Sequence, residues 1–343
     1  MANGGQGNGK MATLADVARL AGVSVPTASK ALRGRGQLRQ ETRDRIRAAA
    51  DQLSFTPNPL ARGLLAARSG IVGLVTHDLE GRFSIPILMG AEDAFGLDRL
   101  SVMLSDARGD AIREQRQLEA LVAQRVDGII VVGARSDERA SLGRSLPVPL
   151  VYAYAHSADP TDCSIIPNSY QSGRLAVDHL IACGRSRIGV ITGDPGYGAS
   201  QERVRGALDA LHDSGLAMVG DQALFGAWNQ DWGRAAAAAL LDRHPDLDGL
   251  VCGSDQIALG VLDVLGERGV TVPRDISVIG HDNWEVLSAF SRPPLTSIDM
   301  NLEELGRRAA ARLVEAMNGT PAEGREVIAP RLALRKSTMP TAV

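Results

Sequence analysis

Eight positions carry a polar or aromatic side chain at or just beyond the end of an apolar run: His77, Asp78, Tyr154, Asp194, Trp228, Asp255, Asp282 and Asn283. Carboxylates accept hydrogens from hydroxyl groups, and an aromatic plane stacks on the C–H face of a sugar ring, so this set suits non-covalent capture of a small polyhydroxylated molecule. Trp228 is the most informative of them, because the chain has only three tryptophans. Taken singly, each is also an ordinary cap or turn residue. The sequence has no glycine-rich phosphate loop, no cluster of metal ligands and no Ser/His/Asp grouping that would mark a nucleophile. Asp255 or Asp282 as a lone general base is the only enzymatic reading available, so the chain is expected not to be an enzyme and to need neither cofactor nor metal.

A second set lies near the start. In "AGVSVPTASKALRG", Ala28, Ala31 and Leu32 gather on one face of a helix at 100° per residue, and Val25, Pro26, Ser29, Lys30 and Arg33 on the other. One face packs; the other is free to read a partner. Pro26 falls within the first turn, where backbone N–H groups have no intrahelical acceptor, so it costs the helix little. Ser24 can cap this helix, although Val25, pushed out of the α region by the following proline, could be the cap instead.

The elements that position these residues follow from the surrounding pattern. Thr13 and Asp16 form a capping-box pair before Leu14, Val17, Ala18 and Ala21, and Gly22 supplies a stop. A third helix is expected in "QETRDRIRAAADQLSF", with Ile46, Ala49, Ala50 and Leu53 in register and Arg43, Arg45 and Arg47 along it. Two short helices joined by a glycine turn and braced by a third are either a plain bundle with solvated arginines or a helix-turn-helix. Charge favours nucleic acid as partner: 11 Lys plus Arg face 4 Asp plus Glu between Lys10 and Gly70, against 26 and 36 in the rest of the chain.

From Gly70 onward, apolar runs such as "GIVGLVTHD", "DGIIVVGA", "RIGVITGD" and "ISVIGHDN" alternate with helical patterns. Two such series imply two lobes built on parallel sheets, with ligands bound beyond the carboxyl ends of the strands. Three widely spaced cysteines, Cys163, Cys183 and Cys252, read as reduced core thiols. With no apolar run of membrane-spanning length and no secretory signal, a cytoplasmic location without a membrane partner is expected.

From Thr13 to Leu64, "TLADVARLAGVSVPTASKALRG" and "ETRDRIRAAADQLSFTPNPLARGL" resemble the N-terminal signature of the LacI/GalR family of transcriptional regulators. "NSYQSGRLAVDHLIACGRSRIGVITG", "GSDQIALGVLDVLGERGVTVPRDISVIGHDN" and "RPPLTSIDMNLEELGRRAAARL" extend the resemblance over nearly the whole chain. It implies an α/β protein: an N-terminal all-α helix-turn-helix domain, a hinge helix, and a two-lobed core with parallel sheets like a type I periplasmic binding protein. The expected boundaries are a disordered tail over 1–12, the helix-turn-helix over 13–56, the hinge over 57–69 and the effector-binding core over 70–338. Within the core, lobe 1 is expected at about 70–158 and 293–323 and lobe 2 at about 159–292 and 324–338, with crossovers near Asp159, Pro293 and Glu323.

The resemblance also implies roles. Val25 and Pro26 fall at base-reading positions, where they offer thymine methyls apolar contact, and Lys30 falls at a third, able to donate to guanine or a phosphate. Asn58 can cap the hinge helix, Ala61 and Arg62 match its pattern, and Leu64 sits where the family wedges a leucine between base pairs. Gly63 departs from the pattern and disfavours that helix by roughly 1 kcal/mol. In the core, Arg203 is implied as the cleft arginine for effector hydroxyls or a carboxylate, Asp282 as an acceptor of sugar hydroxyls and Trp228 as an aromatic wall. His77, Asp78, Phe83, Tyr154 and Asp255 occupy other cleft positions, the last with Ser254 in place of the usual asparagine before it. The implied activity is a repressor that binds a palindromic operator as a homodimer under control of a small carbohydrate. A solute-binding protein without a transcriptional role is the alternative.

Overall fold

The computed structural model describes residues 12–32, 38–55, 68–79, 82–98, 100–143 and 146–338. The expected tail up to residue 11, Arg33, and the hinge positions Asn58, Ala61 and Leu64 lie outside them. Two compact units divide the chain at Ser69 and Gly70.

Among its described residues the first unit holds three helices, α1 (Leu14–Leu20), α2 (Val25–Leu32) and α3 (Gln40–Gln52). The capping box forms: Thr13 N–H donates to Asp16 Oδ2 at 3.0 Å and Asp16 N–H to Thr13 Oγ1 at 3.3 Å. Gly22, at φ +64°, takes the left-handed turn that ends α1, and Val23 N–H then reaches back to the Ala18 carbonyl at 3.0 Å. Ser24 opens α2: its hydroxyl accepts from Thr27 N–H at 3.4 Å and its carbonyl from Ala28 N–H at 3.0 Å. Val17, Ala18, Ala21, Ala28, Ala31, Ile46, Ala49 and Ala50 form a core made mostly of alanine, which lets three short helices approach closely.

The second unit contains two six-stranded sheets. In lobe 1 the order is β13 (Arg325–Ile328), β7 (Cys163–Pro167), β5 (Leu150–Ala153), β3 (Gly128–Val132), β1 (Ile71–Thr76) and β2 (Ser101–Asp106), all parallel. In lobe 2 it is β14 (Arg331–Ala333), β12 (Thr296–Asp299), β11 (Ser277–His281), β10 (Gly249–Cys252), β8 (Ile188–Thr192) and β9 (Leu224–Phe225), with only β14 antiparallel. A short ladder of β4 (Glu138–Arg139) and β6 (His156–Ser157) flanks lobe 1.

The inner strands are apolar on both faces because both are covered, whereas β2, at the edge of lobe 1, has no fully buried residue. In lobe 1, Val72, Leu74, Ile130 and Val132 face α4 (Ser84–Asp98) and α11 (Leu302–Met317), while Val75, Ile129 and Val131 face α5 (Ala111–Ala123). In lobe 2, Leu250 and Val278 face α8 (Gln230–Arg243) and α9 (Asp255–Glu267), while Val190, Val251 and Ile279 face α6 (Ser169–Ala182) and α7 (Gly198–Asp213).

Three helix pairs share one packing device. In each, a glycine of one helix lies against a backbone carbonyl of the other, and the relation is reciprocal: Gly90 on Glu303 and Gly306 on Ile87, Gly173 on Arg203 and Gly206 on Tyr170, Gly233 on Ile257 and Gly260 on Gln230. A Cβ at any of the six would overlap that oxygen.

The lobe boundaries correct the expectation. The chain passes between lobes after Pro167, after Asp299 and between Ile328 and Arg331, rather than near Asp159, Pro293 and Glu323. Residues 159–167 and 324–328 therefore belong to lobe 1 and 293–299 to lobe 2. Each stretch supplies a strand, β7, β13 or β12, whose backbone groups are satisfied only in the ladder of the lobe it finishes. "CSIIP", "REVI" and "TSID" are too short and mixed to stand out from loop by alternation.

Candidate functional site

On the first unit, α2 splits as its periodicity requires. Ala28 and Ala31 are buried, Val25, Pro26 and Lys30 are exposed, and Ser29 is half-buried. An exposed valine, 43% accessible, beside a proline and a lysine leaves a mixed apolar and cationic face with no partner in this unit's core. Arg45 and Arg47 on α3 are also exposed.

In the second unit, the candidate cleft residues converge around Arg203. Its Cα sits on α7 where Gly173 of α6 touches its carbonyl, so the glycine crossing of these helices fixes where the side chain starts. The guanidinium is buried; Nη1 donates to the Gly253 carbonyl at 2.7 Å and Nη2 lies 3.9 Å from Met300 Sδ. Burial pulls its pKa below the usual arginine value, opposed by the negative charge of Asp282. Its carbon lies 5.9 Å from the centre of the Trp228 ring, which in turn meets Tyr197 edge-on at 5.6 Å. Trp228 lies flat against Gly193, just past the end of β8, where any side chain would displace it.

Asp282 follows β11 with φ +101°, a backbone conformation costly for any residue but glycine. Its Oδ1 is 2.9 Å from His281 Nδ1, and Arg82 Nη1 lies 3.4 Å from Oδ2. Burial disfavours its charge, but Arg82, the His281 hydrogen bond and Arg203 together hold its pKa below the ordinary value. Burial, aided by Arg203, lowers His281 to about 4. The imidazole is therefore neutral at pH 7, with Nδ1–H given to Asp282 and a lone pair on Nε2.

Six buried polar atoms on or beside this cluster have no hydrogen-bond partner among the described residues: Thr192 Oγ1, Ser200 Oγ, Arg203 Nε, Trp228 Nε1, His281 Nε2 and Asp282 Oδ2. Asp282 Oδ2 has the Arg82 charge 3.4 Å away, and leaving the other groups unsatisfied costs about 1 to 3 kcal/mol each. They are two N–H donors, two acceptors and two hydroxyls that can be either, which matches the alternating donor and acceptor character of a polyol. Thr192, Arg203 and His281 also line a cavity of about 10 Å³ below the cleft floor, with Gly253, Gly280 and Cys252. Opposite them in lobe 1, Phe83 and Tyr154 stack with centroids 5.0 Å apart, Tyr154 itself at φ +72°.

Other expected residues are engaged elsewhere. Asp255 is buried with both oxygens occupied, Oδ1 by the Ser297 hydroxyl at 2.6 Å and Oδ2 by Trp284 N–H at 2.6 Å. Burial and the charge of Asp282 push it up to about 7. It clasps β12 and the turn after β11 to the start of α9, and Ser254 caps that helix through Ile257 N–H at 3.3 Å. His77 Nε2 lies 2.9 Å from Glu114, within lobe 1, where Arg139 also grips Glu114 with two bonds. Burial works against that carboxylate, yet the His77 and Arg139 contacts hold it at about 2. Asp78 N–H bonds Thr76 Oγ1, Asp194 closes a turn on Gly196 N–H at 2.7 Å, and Asn283 accepts from Arg335 at 2.7 Å.

The sequence reading missed Thr192, Ser200, His281 and the lobe-bridging Arg82. Small hydroxyl residues and a histidine inside a strand carry no distinguishing spacing. Arg82, beside Phe83, had a signal only in its neighbour. Among the described residues, no group of three or more His, Cys, Asp or Glu side chains could hold a metal, and no helix is long and apolar enough to cross a membrane.

Comparison with known proteins agrees with both units. Residues 13–58 match the bacterial regulatory proteins of the lacI family, and residues 177–338 the periplasmic binding protein-like domain. The HTH-type transcriptional repressor PurR of Actinobacillus pleuropneumoniae serotype 3 (strain JL03) is 32% identical over 306 residues, covering 89% of this chain and 91% of that protein. The lac repressor dimer bound to operator and the anti-inducer ONPF superposes with TM-score 0.78 at 27% identity, over 96% of this chain and 100% of that one. A complex of the transcriptional regulator CelR with cellobiose gives TM-score 0.63 at 30% identity, over 95% and 99%.

Proposed function

Because this chain belongs to the lacI family of bacterial regulatory proteins, we propose that it is a ligand-controlled transcriptional repressor of the cytoplasm. It binds a palindromic operator as a homodimer, placing the exposed face of α2 in the major groove. Val25 and Pro26 offer thymine methyls apolar contact, Ser29 and Lys30 supply polar groups, and Leu64 of the hinge wedges the minor groove with Asn58 and Ala61 supporting it. Exposed apolar side chains suit self-association in both lobes: Ile85 and Met89 on α4, and Val286 on α10 (Glu285–Ser288) with Phe290 just after it.

The controlling ligand is a small sugar in the interlobe cleft. The observation that carries this is the ring of buried, unpartnered donors and acceptors around Arg203 and Trp228. Asp282 and Arg203 take hydroxyls, Trp228 and the Phe83–Tyr154 pair wall the ring faces, and Asp255, His77 and Asp78 act behind them by holding strand ends in place. A relative co-crystallised with cellobiose points to the same class. A solute-binding role would leave the reading face of α2 without purpose, and among the described residues the cleft sets no nucleophile beside a base.

A thermal-shift screen of sugars and nucleosides tests the ligand class. A true ligand at 100 times its Kd adds about 2.7 kcal/mol of stability. A shift with sugars is expected; shifts with nucleosides alone would overturn the sugar assignment.

A further inference from the structure

Arg82 stands in lobe 1 immediately before α4, yet its polar partners are in lobe 2. Nη1 donates to Gln256 Oε1 at 2.9 Å, in the first turn of α9, and lies 3.4 Å from Asp282 Oδ2. The guanidinium is 4.5 Å from the Phe83 ring centre in its own lobe and 5.9 Å from that of Trp284 in the other. The planar cation thus lies between one aromatic of each lobe, with its edge on a carboxylate and an amide across the cleft. Other contacts also span the lobes: Asp137 Oδ1 accepts from Gly198 N–H at 2.7 Å, Arg135 lies 4.0 Å over the Tyr197 ring, and Arg203 Nη2 lies 3.9 Å from Met300 Sδ.

We propose that Arg82 is a latch that holds the two lobes together across Asp282. The inference rests on the reading of the cleft as the ligand site, and it adds a residue that fixes the lobe arrangement before any ligand arrives. The side chain of Asp282 is 2% exposed and that of Arg82 20%, so water screens the pair little. Of the two carboxylate oxygens, Oδ1 is taken by His281. Only Oδ2 is left to face both the latch and an incoming hydroxyl, so one oxygen serves lobe closure and ligand recognition together. A neutral residue at position 82 would leave Asp282 buried without its nearest cation, and the lobes without this bridge.

Double electron–electron resonance on the full chain, with no ligand added, tests the latch. Spin labels go on Gln115→Cys in lobe 1 and Gln201→Cys in lobe 2, both exposed, in a Cys183→Ser background diluted with unlabelled protein. Against the parent, Arg82→Gln should shift the distance distribution to longer values and broaden it. Gln256→Ala should do the same to a lesser degree, and Arg82→Lys should recover part of the parent distribution. Distributions unchanged in both Arg82→Gln and Gln256→Ala would overturn the proposal. Gln256→Ala removes no charge, so it remains readable should Arg82→Gln fold poorly. Since no ligand enters the measurement, failure of the cleft reading would appear in the thermal-shift screen and not here.

Discussion

The exposed face of α2 and the floor of the cleft place the side chains proposed to act in opposite surroundings. On α2, Val25, Pro26 and Lys30 stand in solvent on a regular helix, so position along the chain alone decides where they point. In the cleft, the side chains of Arg203, on α7, and of the adjacent His281 and Asp282, at the end of β11, are buried and held partly by strained backbone and by glycine contacts between helices. A surface that meets a large partner needs only a presented face. A site that encloses a small ligand must be assembled in depth, and the unsatisfied groups around Arg203 fit that proposed role. Substitution should therefore be tolerated on the first and propagate through the second.

The sharpest contrast lies within one helix of the scaffold. Gly260→Ala, where the Cβ would meet the Gln230 carbonyl, should push α8 from α9 and cost about 3 kcal/mol in denaturant unfolding. Gly266→Ala in the same helix meets nothing within 4 Å and should be neutral or stabilise by up to about 1 kcal/mol. Equal effects at the two positions would remove the claim that the close contact with the Gln230 carbonyl is what requires glycine at 260.

On the exposed face, Lys30→Ala should leave unfolding unchanged while weakening specific DNA binding by about 1 to 3 kcal/mol if the lysine reads a base. An equal loss on random DNA, with a salt slope lower by about one, would make it a phosphate contact.

The buried titrations sharpen the other side. Asp255, raised to about 7, contributes stability that is full below its unfolded value near 3.8 and is lost as pH rises to about 7. His281, lowered to about 4, does the reverse: its contribution is full above about 6.5 and is lost on acidification to about 4. The two slopes oppose each other between pH 4 and 6.5. Asp255→Asn removes one, so the stability of that variant should rise with pH across this window, by at most about 1.4 kcal/mol per pH unit. The same slope in parent and variant, measured by urea unfolding, would show that Asp255 titrates normally.

Legibility in the sequence divides along the same line. The capping box at Thr13 and Asp16, the stop at Gly22 and the split face of α2 could be read directly, because each depends on neighbours in the chain. Apart from the partly exposed edge strand β2, the longer strands were legible as apolar runs buried on both faces. β7, β12 and β13 were not, which moved all three lobe crossings, since a short strand is defined by the ladder it joins. Arg203 was reached only through family resemblance: in "RVRGAL" nothing local separates it from Arg205, yet Arg203 is buried and Arg205 is exposed. Asp255 stood out as a carboxylate after a strand, but its oxygens turn to Ser297 and Trp284. The reciprocal glycines escape a linear reading altogether, because Gly90 and Gly306 gain meaning only when their helices cross.

In the proposed function, one chain reads DNA with α2 and is controlled through the cleft. Trp228→Ala separates the two. Its affinity for an operator selected from random-sequence DNA should be measured by fluorescence anisotropy, with and without the sugar returned by the thermal-shift screen. Affinity equal to the parent's in the absence of sugar, with no change on adding sugar, is the predicted result; a sugar response as large as the parent's would contradict it.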